Sequence, residues 1–299
     1  MEQENVGLYL GMDISEKYTM ISIYQQHMKE PQTISTIMGS ESYQIPTALA
    51  KKKGVGQWFF GREAKVRVKS GEALGVEDLL DKARTGEEVF LEHEKYAASD
   101  LLAIFLKRVL SLAGSAQAMM PLTKLVICLD KVSVEYMELF SAIMVKLGIE
   151  TDKLLLIDRR ESFYYYALSQ GPETFLHDVV MFDYTESDMV SCRLRRNMHT
   201  TPQVINLDQK NHGKLLDQKD GEFQKIAQDV IDGQVVSAVY LIGDGFDGDW
   251  MKASCSIFAI PERSLWERIF TPRAPVMQAL SRMGSGIGLL SISETMNSS

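Results

Sequence analysis

Asp13 and Asp183 stand in matching places along the chain. Each follows an apolar run (Leu8 to Met12, Val179 to Phe182), and each precedes a polar turn and a returning apolar run. A carboxylate at a strand end has two uses: accepting from nearby backbone donors, or holding a hydrated divalent cation. Hydroxyl and ammonium groups follow closely, with Ser15 and Lys17 in the first turn and Thr185 in the second. A third turn, Gly243-Asp244-Gly245, succeeds the apolar run Val239 to Ile242, where glycine permits a sharp change of direction. His27, His93, His177, His199 and His212 are scattered and outline no metal site. Cys128, Cys192 and Cys255 are far apart with no Cys-x-x-Cys spacing, and an odd count fits reduced thiols better than a disulfide framework.

These residues need strands and helices to position them. Leu8 to Met12 and Thr19 to Tyr24 read as a hairpin around Ile14 to Tyr18, and Val179 to Phe182 with Met189 to Leu194 as a second. Leu125 to Leu129, Leu154 to Ile157 and Val239 to Ile242 are short continuous apolar runs, as expected of strands buried on both faces. Helical spacing predicts helices over Leu101 to Leu112 and over a segment whose Met137, Phe140, Ile143 and Leu147 share a face before Gly148. Further helices are expected at Phe163 to Leu168 and Glu222 to Ile231, the latter stopping at Gly233, with an added strand at 203–208. The Lys51-Lys52-Lys53 run reads as a solvated loop, Phe163 to Tyr166 as helix packing with one exposed ring, and the 16 methionines as core filler.

The chain of 299 residues can bury a sizeable core. Its net charge of −8 argues against nucleic acid or an anionic membrane as the main partner. The N-terminal residues lack the basic start of a signal peptide, and no run approaches the roughly 20 apolar residues of a membrane span. The expectation is a cytoplasmic protein. Two half-molecules emerge, each opening with a strand, an aspartate, a polar turn and a returning strand. That weak duplication predicts an α/β protein of two mixed sheets with helices outside.

In this order the motifs resemble the actin/sugar-kinase/heat-shock-chaperone superfamily, most closely the ATPase domain of the seventy-kilodalton heat-shock chaperones. The resemblance runs over about residues 6 to 250. Leu10-Gly11-Met12-Asp13 resembles the first phosphate strand, and Val180-Met181-Phe182-Asp183 the second. Ile45-Pro46-Thr47 with Phe60-Gly61-Arg62-Glu63-Ala64 resembles the approach to the small subdomain. Asp158-Arg159-Arg160-Glu161 resembles a helix start that carries Asn-Glu-Pro in the chaperones, and Leu241-Ile242-Gly243-Asp244-Gly245 the adenosine loop. The resemblance implies an actin-like two-lobe ATPase fold over 1–256, with a small peripheral subdomain at about 41–98 and a second half at about 150–256. It implies ATP or ADP with magnesium, held by Asp13, Ser15, Lys17, Asp183, Thr185, Gly243 and Gly245.

The turns depart from that pattern. In the superfamily, glycines let backbone N–H groups approach phosphate closely, but neither turn here contains one. Glu16, Glu186 and Asp188 add negative charge instead. A carboxylate about 6 Å from a phosphate charge costs roughly 3 kcal/mol at an effective dielectric near 20. The expected function is therefore a chaperone-like or actin-like binding module with a degenerate nucleotide site, acting through a protein partner or self-assembly. The alternative is a genuine Mg-ATP-dependent switch; a small-molecule kinase is weaker, because no sugar-binding signature is legible.

Residues 257–299 lose the pattern: Pro261, Pro272 and Pro275 interrupt any helix, and the C-terminal lobe of the expected fold is incomplete. Codons back-translated from Ser254 onward and read from the third base permit a small-residue Gly-Ala segment of the kind the resemblance expects there. An out-of-frame translation and a genuine irregular tail are the two readings, and the coding DNA decides between them.

Overall fold

The computed structural model describes residues 7–25, 27–28, 31–36, 42–113, 122–169, 176–184, 188–197, 204–246, 248–260, 263–264, 266–268 and 292–295. The protein is mixed α/β and divides into two compact units, the chain passing from one to the other between Phe163 and Tyr164.

The first unit begins with the expected hairpin, β1 (Leu8–Ile14) and β2 (Tyr18–Gln25), continued by β3 (Gln32–Thr33) and β4 (Ile45–Pro46). A small antiparallel sheet follows from β5 (Leu49–Lys52), β6 (Trp58–Phe60) and β7 (Ala73–Val76), with α1 (Gly61–Lys69) between the last two. Next come α2 (Leu79–Thr85), the hairpin β8 (Glu88–Leu91) and β9 (Glu94–Ala97), and α3 (Ala98–Ser111). Then β10 (Leu122–Leu129), α4 (Val134–Leu147), β11 (Leu154–Asp158) and α5 (Arg159–Ser169) complete the series, α5 crossing the division between the units.

The main sheet of this unit runs β11-β10-β1-β2-β3, with β4 also on β2. β1, β10 and β11 are parallel, and β2 and β3 antiparallel. Period-two alternation sends Leu8, Leu10, Met12 and Ile14 to one face, where they share a core with Leu125, Ile127, Leu101, Phe105, Phe140 and Ile143. Asp13 lies at an alternate position and pairs with Cys128 of β10. Gly148 caps α4 in the left-handed region at φ 72°, the stop expected of it. Met137, expected on the buried face of α4, is 45% exposed. The buried stripe runs instead through Leu139, Phe140, Ile143 and Met144, with Tyr136 packed beside it, and Met137 lies off that stripe.

Lys51 also departs from expectation, being only 5% exposed. Its ammonium meets Glu94 at 2.5 Å and Glu92 at 3.3 Å, and Glu92 accepts from the Gly54 N–H at 2.8 Å. The hydrogen bond that Lys51 donates to Glu94 raises the Lys51 pKa above its ordinary value. The basic run thus contains an ionic clamp between the small sheet and the β8–β9 hairpin. Its signal in the sequence was hidden, because the partners lie about 40 residues away.

The second unit repeats the plan. β12 (Asp178–Asp183), β13 (Met189–Asn197) and β14 (Val204–Gly213) form an antiparallel meander, followed by α6 (Lys219–Ile231) and β15 (Val236–Ile242). After α7 (Cys255–Phe258), β16 (Ala259–Ile260) and β17 (Arg263–Ser264) come β18 (Trp266–Arg268) and β19 (Ile292–Thr295). The sheet runs β18-β15-β12-β13-β14-β19, with β12, β15 and β18 parallel. Apart from β19 here and β4 in the first unit, this is the strand order and direction of the first unit's main sheet, with the aspartate-bearing strand at the centre. Phe223 and Ala227 of α6 pack on Val180, Phe182, Val239 and Leu241. Most of the expected tail, 257–299, lies outside the described residues. Among the described residues, no helix is long and apolar enough to cross a membrane.

Candidate functional site

The β1–β2 hairpin carries Asp13, Ser15 and Lys17. Its turn is closed by Ser15, whose hydroxyl donates to the Tyr18 carbonyl at 3.0 Å and accepts from the Tyr18 N–H at 3.2 Å. The Ser15 N–H donates to that carbonyl as well, at 3.0 Å. The carbonyl of exposed Lys17 accepts from Thr47 N–H at 3.1 Å, and the Thr47 and Thr19 hydroxyls meet in the interior at 2.8 Å. The turn is therefore tied to the Ile45-Pro46-Thr47 segment.

Glu16 is directed at a helix start. Its carboxylate accepts from the backbone N–H groups of Asp81 and of Leu80, the latter at 3.3 Å, at the N-terminus of α2. Asp78 holds the N-cap position but is left-handed, at φ 50°, and makes no side-chain cap. Glu16 supplies the missing acceptor from 64 residues upstream. Partial burial raises its pKa, opposed by the two backbone donors.

Asp13 is 5% exposed, and neither carboxylate oxygen has a hydrogen-bond partner. Its Oδ1 lies 3.7 Å from Nη2 of Arg159, the first residue of α5, while Nε of the same guanidinium forms a close ion pair with Asp130. Burial pushes the Asp13 pKa up to about 6; Arg159 pulls it down and Asp130 adds to the rise. The neighbouring Cys128 thiol is pushed well above its usual range, chiefly by burial. Asp158, the residue before α5, accepts from Glu161 N–H at 2.8 Å and pairs with Arg160 at 2.8 Å.

Sequence reasoning named Asp13 but missed Arg159 and Asp130 as its companions. A usable signal existed. Two arginines at a helix start oppose the helix dipole, so each needs a nearby carboxylate.

In the second unit, Asp183 ends β12 beside Ile242 of β15, so the chain positions Asp183, Gly243 and Gly245 near one another. Gly243 has φ 102°, a conformation that glycine adopts without strain. Gly245 is required for a different reason: a Cβ there would sit 2.4 Å from the Tyr184 carbonyl oxygen and 2.5 Å from its ring. The Gly245 N–H donates to that carbonyl at 2.9 Å, and its own carbonyl accepts from Trp250 Nε1 at 3.2 Å. Tyr184 is buried among Phe246 and Trp250, with ring centroids 5.8 and 6.3 Å away. Thr185 and Glu186 lie outside the described residues, whereas Asp188 is exposed and accepts from Asn211 at 3.2 Å. Phe163, Tyr164 and Tyr166 are buried, and Tyr165 is half-buried.

Among the described residues, no group of three His, Cys, Asp or Glu side chains could hold a metal ion. Comparison with curated proteins gives no match. Residues 30–266, most of the chain, match the family described as "Family of unknown function (DUF5716) C-terminal", and the protein belongs to that family.

Proposed function

We propose that this protein is a degenerate actin-like and chaperone-ATPase-like module that works through a protein partner or self-assembly rather than through ATP turnover. One observation carries the reading: both units contain the same five-strand order, with an aspartate at or one residue before the end of the central strand of each. That arrangement supports the internal duplication expected from the repeated strand–aspartate–turn pattern, which the resemblance also implies as a two-lobe fold.

Within the first unit, the residues do not suit a magnesium-bound nucleotide. The Ser15 hydroxyl is engaged by its own turn, Glu16 serves α2, and Asp13 already faces a guanidinium. A phosphate approaching this turn would meet no glycine-opened backbone.

The alternative, a Mg-ATP-dependent switch, draws support from the unpartnered oxygens of Asp13, which a hydrated cation would satisfy. Calorimetric titration of the full chain with ATP and magnesium decides between the two. The proposed function expects no binding in the micromolar range. Micromolar affinity that disappears in Asp13→Ala and Asp183→Ala would establish the switch instead. Light scattering over a concentration series tests self-assembly, and a mass that stays monomeric leaves the partner-protein form of the proposal.

A further inference from the structure

We propose that Arg159 is a built-in counter-cation for Asp13 and Asp130, seated where a divalent cation would otherwise bind and closing the end of β1 to metal ions. The two carboxylates come from parallel neighbours: Asp13 is the penultimate residue of β1, and Asp130 directly follows β10. Arg159 reaches both with one guanidinium, Nη2 toward Asp13 at 3.7 Å and Nε against Asp130. Its side chain is only 16% exposed and that of Asp13 only 5%, so the pair is largely withdrawn from water.

A buried carboxylate without a counter-charge is strongly disfavoured. Asp13 also receives no hydrogen bond on either oxygen. Arginine is suited to this place because it stays charged and presents several donors along one plane. A single cation facing two carboxylates leaves one net negative charge. Removing the guanidinium leaves two converging carboxylates, the start of a hard-cation site that water can complete. The identity of the displaced cation rests on the proposed function above; the ion-pair cluster does not.

Manganese is the probe, read by electron paramagnetic resonance on the full chain without nucleotide. The wild type is expected to leave Mn²⁺ free. Arg159→Met is expected to bind it at least tenfold more tightly, and Arg159→Met with Asp13→Asn to lose that binding. Mn²⁺ bound by the wild type and released by Asp13→Asn would overturn the proposal. So would a folded Arg159→Met chain that leaves Mn²⁺ free.

Should Arg159→Met fail to fold, the double variant decides. Recovery of a cooperative unfolding transition on adding Asp13→Asn supports a counter-cation role, and no recovery rejects it. Binding of Mg-ATP by a wild type that ignores free Mn²⁺ would remove the proposed function while leaving this inference intact.

Discussion

At the residue scale, the burial of Asp13 has a direct electrostatic consequence. Its pKa is raised from 3.8 to about 6 by burial, against the pull of Arg159 and with the push of Asp130. Buried Cys128 beside it remains a neutral thiol in the same range. Because the folded state holds the Asp13 proton more tightly than the unfolded chain does, stability falls as pH rises between the two values. The loss is about 3 kcal/mol across roughly pH 4 to 6, and it persists above that window. Denaturant unfolding at a series of pH values should show this slope in the wild type and a flatter profile in Asp13→Asn. Gly245 gives a steric prediction. In Gly245→Ala the new methyl meets the Tyr184 carbonyl and ring, so the backbone must shift. A loss of about 1–3 kcal/mol is expected in denaturant unfolding.

At the element scale, the β1–β2 turn and α2 depend on each other through Glu16. Glu16→Ala removes the acceptor for the Leu80 and Asp81 N–H groups, and Asp78 in its left-handed conformation does not replace it. The expected cost is about 1 kcal/mol. Hydrogen exchange should speed up in the first turn of α2 and remain unchanged in α6, which would separate a lost cap from general destabilisation. The turn's charges also acquire a local explanation here. Glu16, counted from sequence as a charge opposing phosphate, is committed to a helix start. Lys51 is similar, since its charge ties two small elements together.

At the scale of the whole molecule, each unit has a core of its own among the described residues. In the second, Phe223 is fully buried and packs its ring edge-on against Phe182, 5.2 Å between centroids, and also against Phe246. Phe223→Ala should cost about 3–5 kcal/mol. Thermal unfolding followed by near-ultraviolet circular dichroism should show that loss together with a weakened aromatic signal, given the Tyr184, Phe246 and Trp250 rings around it.

Sequence alone determined the hairpins, the buried parallel strands, the glycine stop at Gly148 and the repeated strand–aspartate–turn pattern. Each of these is written locally, as an apolar run, a period of two or a residue that tolerates positive φ. Tertiary structure decided what the charged residues do. Asp13 meets Arg159, Glu16 meets α2 and Lys51 meets Glu92 and Glu94 across long stretches of chain. A carboxylate's role depends on which charge or backbone donor the fold brings beside it and on how much water the fold removes. Neither quantity is carried by spacing along the chain. The strands carrying the aspartates were therefore legible from the residues, and the arginines at the start of α5 signalled a need for carboxylates, but which carboxylates they meet was not.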